Sequence, residues 1–306
     1  MGSVKAVLVT FALLVLTATA SAAGSARTVT APAPLLAVAF DGNRVAFASG
    51  FEATDCNRVR VWNLSTRAVA KLGRRTHCEH TSTGNSIAQL SLSGARALWV
   101  AYIGGNTREW TLWTATTSKP SPVRLRFATN EAGYPSPFVI GNGGGGLLPY
   151  SVGKTVIVLR SNGSRAFSWT ASDRVVALSA RAGEVAVAGD DRTVTILDAR
   201  GKVLRQEVYD SFVGAVRLTS GGILVQHRSS LELRGASPPR EWTFPQGAIL
   251  AAATGTRAYY VLRGSVYSLS LTDSSARIIS RGTAVALEGT RIAVADGRIV
   301  RLLSAS

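Results

Sequence analysis

From residue 28 onward, apolar residues come in short runs of Val, Ile, Leu, Ala, Tyr and Trp, broken every few residues by Gly, Asn, Asp or Ser. The runs are too short for the i, i+3, i+4 stripe of an amphipathic helix, and the interruptions are turn formers. The pattern therefore predicts many short strands. One phrase recurs: a small or apolar strand, a glycine turn, and a second apolar strand. Residues 38–40, the turn Asp41-Gly42-Asn43-Arg44 and residues 45–48 form the first copy. Residues 90–92, Ser93-Gly94-Ala95-Arg96 and residues 97–102 form the second. Later copies turn at Arg181-Ala182-Gly183-Glu184, Thr219-Ser220-Gly221-Gly222, Thr254-Gly255-Thr256-Arg257 and Glu288-Gly289-Thr290-Arg291, and a degenerate one at Gly143-Gly144-Gly145-Gly146.

The turn glycines stand near 42, 94, 143, 183, 221, 255 and 289, so the repeat tightens from 52 residues to 34 along the chain. A third strand follows every copy and a fourth follows most. Four strands per unit of about 40 residues predict an all-β propeller. We expect one domain over residues 27–306 with seven blades, near 35–73, 86–128, 136–171, 174–209, 213–245, 248–281 and 283–306. The last unit ends with three strands, so residues 27–31 are expected to supply its fourth and remove an exposed edge. Six blades is the alternative, if the Gly-rich third unit is an insertion.

Two stretches resemble known propeller families. Arg58-Val59-Arg60-Val61-Trp62-Asn63-Leu64 resembles the third strand of a WD40-type blade. Thr195-Ile196-Leu197-Asp198-Ala199-Arg200-Gly201 resembles the matching strand and turn of YVTN and quinoprotein-like propellers. Trp-Asp itself is absent, because Asn63 follows Trp62, and neither a repeated Gly-His nor a repeated Trp-docking motif occurs. The resemblance implies the fold and none of those families' activities.

Composition adds a compartment. Lys5 precedes an apolar run from residue 6 to 16, and Ala20-Ser21-Ala22 fits an A-x-A cleavage site. Residues 1–22 read as a signal peptide cleaved near Ala22, which makes the mature chain secreted or extracytoplasmic. The run is too short to span a bilayer, and no later segment reads as transmembrane. The chain has 34 Lys and Arg against 18 Asp and Glu, a formal charge of +16, dispersed with no run longer than Arg74-Arg75. Dispersal argues against nucleic acid, which proteins meet with concentrated charge. The Arg-over-Lys bias suggests a bacterial source. A monomer is expected.

In a four-stranded blade the turns between strands one and two, and three and four, lie on one face. The loops between strands two and three, and between blades, lie on the other. The second set is long in the first three units, at residues 49–57, 73–86, 103–108 and 129–137. Long loops on a rigid scaffold are where binding concentrates. The candidate partner face is therefore Glu52, Asp55, Arg74, Arg75, His77, Glu79, His80, Asn106, Arg108 and Glu131. Cys56 and Cys78 fall on this face and, after export, are expected to form a disulfide. His77, Glu79 and His80 offer imidazole and carboxylate ligands to a divalent metal, although their spacing matches no established zinc motif.

No catalytic motif was found. There is no G-x-S-x-G elbow, and Gly153-Lys154-Thr155 lacks the upstream glycine of a phosphate loop. The tryptophans 62, 99, 110, 113, 169 and 242 are expected to pack between blades. The sequence reads as a non-catalytic binding or scaffolding module without a cofactor, its partner a protein, peptide or glycan of the cell envelope. A metal- or cofactor-dependent enzyme, and a basic envelope-associated sensor or structural protein, are the alternatives.

Overall fold

In a computed structural model the chain is described over residues 27–50, 58–73, 84–235 and 239–305. Every regular element among the described residues is a strand, in seven four-stranded antiparallel sheets. Blade 1 is Leu35–Asp41, Arg44–Ser49, Val59–Asn63 and Val69–Leu72, in that order from the centre outward. The other six innermost strands are Asn85–Ser93, Phe138–Ile140, Val175–Arg181, Ala215–Thr219, Ile249–Ala253 and Ala284–Glu288. In blade 7 the outermost strand is Thr28–Thr30, antiparallel to Ile299–Ser304, with Thr28 opposite Arg301 and Thr30 opposite Ile299.

The burial pattern explains the residue pattern. Second strands such as Arg44–Ser49 and Glu184–Gly189 are buried on both faces, so they read as unbroken small and apolar runs. Outermost strands such as Val203–Val208 alternate between exposed and half-covered residues. The core is accordingly divided into seven slabs, one between each pair of neighbouring blades. One slab joins the ends of the ring: Phe40, Phe47 and Trp62 of blade 1 pack with Ala293, Ala295 and Val300 of blade 7. All six tryptophans lie in such slabs. Trp113 faces blade 1 and Trp110 faces blade 3, from opposite sides of one strand.

The Gly-rich unit is a true blade with an unusually short innermost strand, Phe138–Ile140. Gly141, Gly143, Gly144 and Gly145 continue the chain through a gap between blades 2 and 4 too narrow for any side chain. A Cβ at Gly141 would lie 2.6 Å from the Leu178 Cβ, and one at Gly143 would collide with the Leu92 carbonyl. This settles the count at seven rather than six.

Two glutamines close inner-strand edges between blades. Gln89 donates to the Phe138 carbonyl (3.2 Å) and accepts from the Ile140 N–H (2.7 Å). Gln226 does the same to the Ala248 carbonyl (2.9 Å) and the Leu250 N–H (2.8 Å). A primary amide presents the same donor and acceptor as a strand edge, so it satisfies backbone groups that face the channel.

Candidate functional site

The ring encloses a central cavity of about 390 Å³, open on the face of the strand one–two turns and within the size range of small-molecule pockets. Alanines from several inner strands make its walls, including Ala39, Ala252 and Ala286. Its polar groups come from strand ends that the repeat brings together. Asp41 ends the innermost strand of blade 1, and Glu288 ends that of blade 7. Asp41 Oδ2 accepts the Gly94 N–H at 2.5 Å. Burial, and then the neighbouring Asp41 carboxylate, push the Glu288 carboxyl above its ordinary range, while the Gly42 N–H, Arg291 and Arg181 partly offset this.

A polar crosslink spans the interior. The Ala251 carbonyl of blade 6 accepts from Asn142 Nδ2 of blade 3 (3.2 Å) and from Arg217 Nε of blade 5 (2.8 Å). Arg217 also donates to the carbonyls of Val216 (2.7 Å) and Leu250 (2.9 Å). Burial lowers its pKa to about 10, so it stays cationic at neutral pH, held by carbonyl dipoles.

The opposite face carries the strand two–three and inter-blade loops. Glu52, Asp55, Cys56, Arg74, Arg75, His77, Cys78, Glu79 and His80 lie outside the described residues, as does the segment 1–22. The other three candidates belong to blade 2. There the expected loops 103–108 and 129–137 are shorter, because Arg96–Ile103, Thr107–Thr116 and Val123–Glu131 extend into them as strands. Glu131 pairs opposite Thr107, and the Asn106 carbonyl accepts the Ala132 N–H at 2.7 Å, so Asn106 and Glu131 are brought together. Arg108 is half-buried, its guanidinium 4.7 Å from the Tyr102 ring centroid.

What the residue reading missed on this face is apolar. Leu36 (39% exposed) and Ile249 (65%) stand at the starts of the innermost strands of blades 1 and 6. Tyr134 (62%) and Phe212 (52%) stand on the inter-blade loops after blades 2 and 4. The signal was local: Tyr134 and Phe212 are aromatic residues inside segments otherwise made of turn formers, Gly133-Tyr134-Pro135-Ser136 and Asp210-Ser211-Phe212.

A second polar cluster sits between blades 4 and 5. The buried His227 ring has Nδ1 within 2.8 Å of Ser211 Oγ and 3.0 Å of the Phe212 carbonyl, and Nε2 within 3.2 Å of Glu232 Oε2. Glu232 in turn binds Arg234 Nε at 2.5 Å, and Arg234 lies 4.1 Å from the Tyr209 ring centroid. The order Ser–His–Glu resembles a nucleophile and its base. Glu232 and the Phe212 carbonyl can both only accept, one at each ring nitrogen, and Ser211 Oγ donates to or accepts from Nδ1 according to which nitrogen carries the proton. The cluster is a clasp holding the inter-blade loop to blade 5.

No protein-family model matches the chain, and no curated protein sequence matches it. Solved structures do. Raptor from Chaetomium thermophilum superposes with a TM-score of 0.57 at 15% identity, over 91% of this chain and 28% of that one. The chain thus spans little more than a quarter of Raptor. A chain of the mitotic checkpoint complex gives 0.56 at 14% identity, over 98% of this chain and 99% of that one. The WD40 β-propeller domain of Doa1 gives 0.56 at 14%, over 92% and 96%. At such identities the likeness is one of fold: the chain is built as a seven-bladed, WD40-like β-propeller.

Proposed function

We propose that the chain is an exported, non-catalytic binding module that takes a protein or peptide partner on its loop face. The observation that carries this is the set Leu36, Tyr134, Phe212 and Ile249, four exposed large apolar side chains spaced around the ring on that one face. Among the described residues, the other exposed large apolar residues are confined to outermost strands. Aromatic and aliphatic anchors on rigid elements, surrounded by polar loops, are the ingredients of a binding hot spot. Segments 51–57 and 74–83 join strand ends of this face, and their charged residues Glu52, Asp55, Arg74, Arg75, His77, Glu79 and His80 are proposed as further contacts. Export rests on the leader pattern of residues 5–22, and the Cys56–Cys78 disulfide is part of the same proposal.

The test uses peptides selected from a random displayed library against the mature protein, with binding read by fluorescence polarisation. Combined Tyr134→Ser, Phe212→Ser and Ile249→Ser should weaken binding about thirtyfold or more while leaving the melting temperature unchanged. Selected peptides that bind this variant as tightly as the parent would place the partner elsewhere.

A further inference from the structure

The two faces differ in charge as well as in apolar content. Among the described residues, the strand one–two and three–four turns, counted with their flanking strand residues, carry thirteen basic and five acidic residues. The loop face, counted the same way, carries eight basic and six acidic. On the loop face two of the eight cations are paired with carboxylates, Lys154 with Asp173 (3.8 Å) and Arg174 with Asp190 (2.8 Å), and the acids nearly match the cations in number.

On the turn face four of the five acids accept hydrogen bonds from nearby turn groups. Asp41 takes the Gly94 N–H, and Asp198 takes the N–H groups of Arg200 (2.8 Å) and Lys202 (2.9 Å). Asp273 takes the Ser275 N–H (2.9 Å) and hydroxyl (2.6 Å), and Glu288 takes the Gly42 N–H. The exposed cations Arg67, Lys119, Arg165, Arg181, Arg200 and Lys202 consequently have no carboxylate within ion-pair distance among the described residues.

Every blade contributes at least one basic residue to this face. The charges are therefore spread around a ring at the tips of short turns, not drawn into a stripe or groove. A stripe suits a nucleic-acid backbone, whereas a ring of cations on a face whose exposed large apolar residues at the turns are, among the described residues, the valines 69, 123 and 203 suits an extended planar array of anions. We propose that the turn face docks peripherally on an anionic lipid bilayer, by charge alone, leaving the loop face free. This is independent of the peptide reading, because it uses the other face and other residues.

Sedimentation with large unilamellar vesicles tests it. The mature protein should pellet with phosphatidylcholine vesicles containing roughly 30% phosphatidylglycerol at about 20 mM salt, and be released as salt rises to about 300 mM. It should ignore pure phosphatidylcholine. Arg165→Glu, Arg181→Glu and Arg200→Glu together should lower partitioning at least about tenfold, and the same three positions changed to Lys should restore it. Lys154→Glu, Arg228→Glu and Arg263→Glu make an equal charge change on the loop face and should alter partitioning by less than about threefold. Circular dichroism of each variant confirms that the ring is folded. The proposal fails if the parent does not bind anionic vesicles at low salt, if both triple Glu variants lose binding equally, or if the protein binds soluble heparin but not vesicles.

Discussion

At the residue scale, the molecule solves one problem repeatedly: how to place polar groups in a narrow ring. Gln89 and Gln226 imitate strand edges, and Arg217 is held by three carbonyls instead of a carboxylate. Glu288 is the exception, with its proton favoured by burial and by Asp41. A carboxyl whose folded pKa is raised binds its proton more tightly in the folded state than in the unfolded chain. Its stabilising share is complete below the unfolded value and is lost as pH rises through the folded one. Glu288→Gln should therefore raise the melting temperature near pH 7.5 by about 2 °C and give no gain near pH 4. A melting temperature at pH 7.5 equal to or below that of the parent would show that Arg181 and Arg291 outweigh burial. The role of the tryptophans was legible beforehand. Six tryptophans in apolar runs were expected to pack between blades, and they do. The carboxylate pair was not, because Asp41 and Glu288 are 247 positions apart and meet only when the ring brings blade 7 against blade 1.

At the element scale, glycine does two separate jobs that one letter hides. Gly42 sits in a hairpin turn at φ +55° with open space around its missing Cβ. It is there for its backbone. Gly143 is there for its lack of volume, with the Leu92 carbonyl and Leu148 side chain against it. Gly42→Asn should cost less than about 1 kcal/mol, since Asn tolerates the left-handed region. Gly143→Ala should cost about 1–3 kcal/mol through overpacking. Denaturant midpoints at unchanged slope separate the two, and equal costs would refute the distinction. The glycine run was read as an inter-strand turn, and Gly145 and Gly146 make that turn; composition does not report which backbone passes beside Gly141 and Gly143. The loops of blade 2 were overestimated for a related reason. Asn106, Thr107, Arg108 and Glu131 look like loop residues, yet Thr107 and Arg108 pair opposite Glu131 and Asn130. Polar residues extend strands freely where an exposed edge lets them keep their water.

At the scale of the whole molecule, the period of glycine turns carried the architecture, and the alternation of turn and loop ends carried the two faces. What it could not carry was their chemistry. Net charge is a sum over the chain, whereas the basic turn face and the apolar loop face emerge only once strand ends are sorted by direction. Those faces exist only in a closed ring. The join between its ends is the slab between blades 7 and 1 together with Thr28–Thr30, which covers part of the last strand, Ile299–Ser304. The most direct measurement is therefore the stability and association state of a chain begun at Ala31, compared with one begun at Ala23. Loss of three cross-strand pairs and of Val29 from the slab should lower unfolding free energy by about 1–3 kcal/mol. The bared edge should also cause concentration-dependent association in sedimentation velocity. A shortened chain that remains monomeric and unfolds at the parent's midpoint would contradict a ring fastened by its first strand.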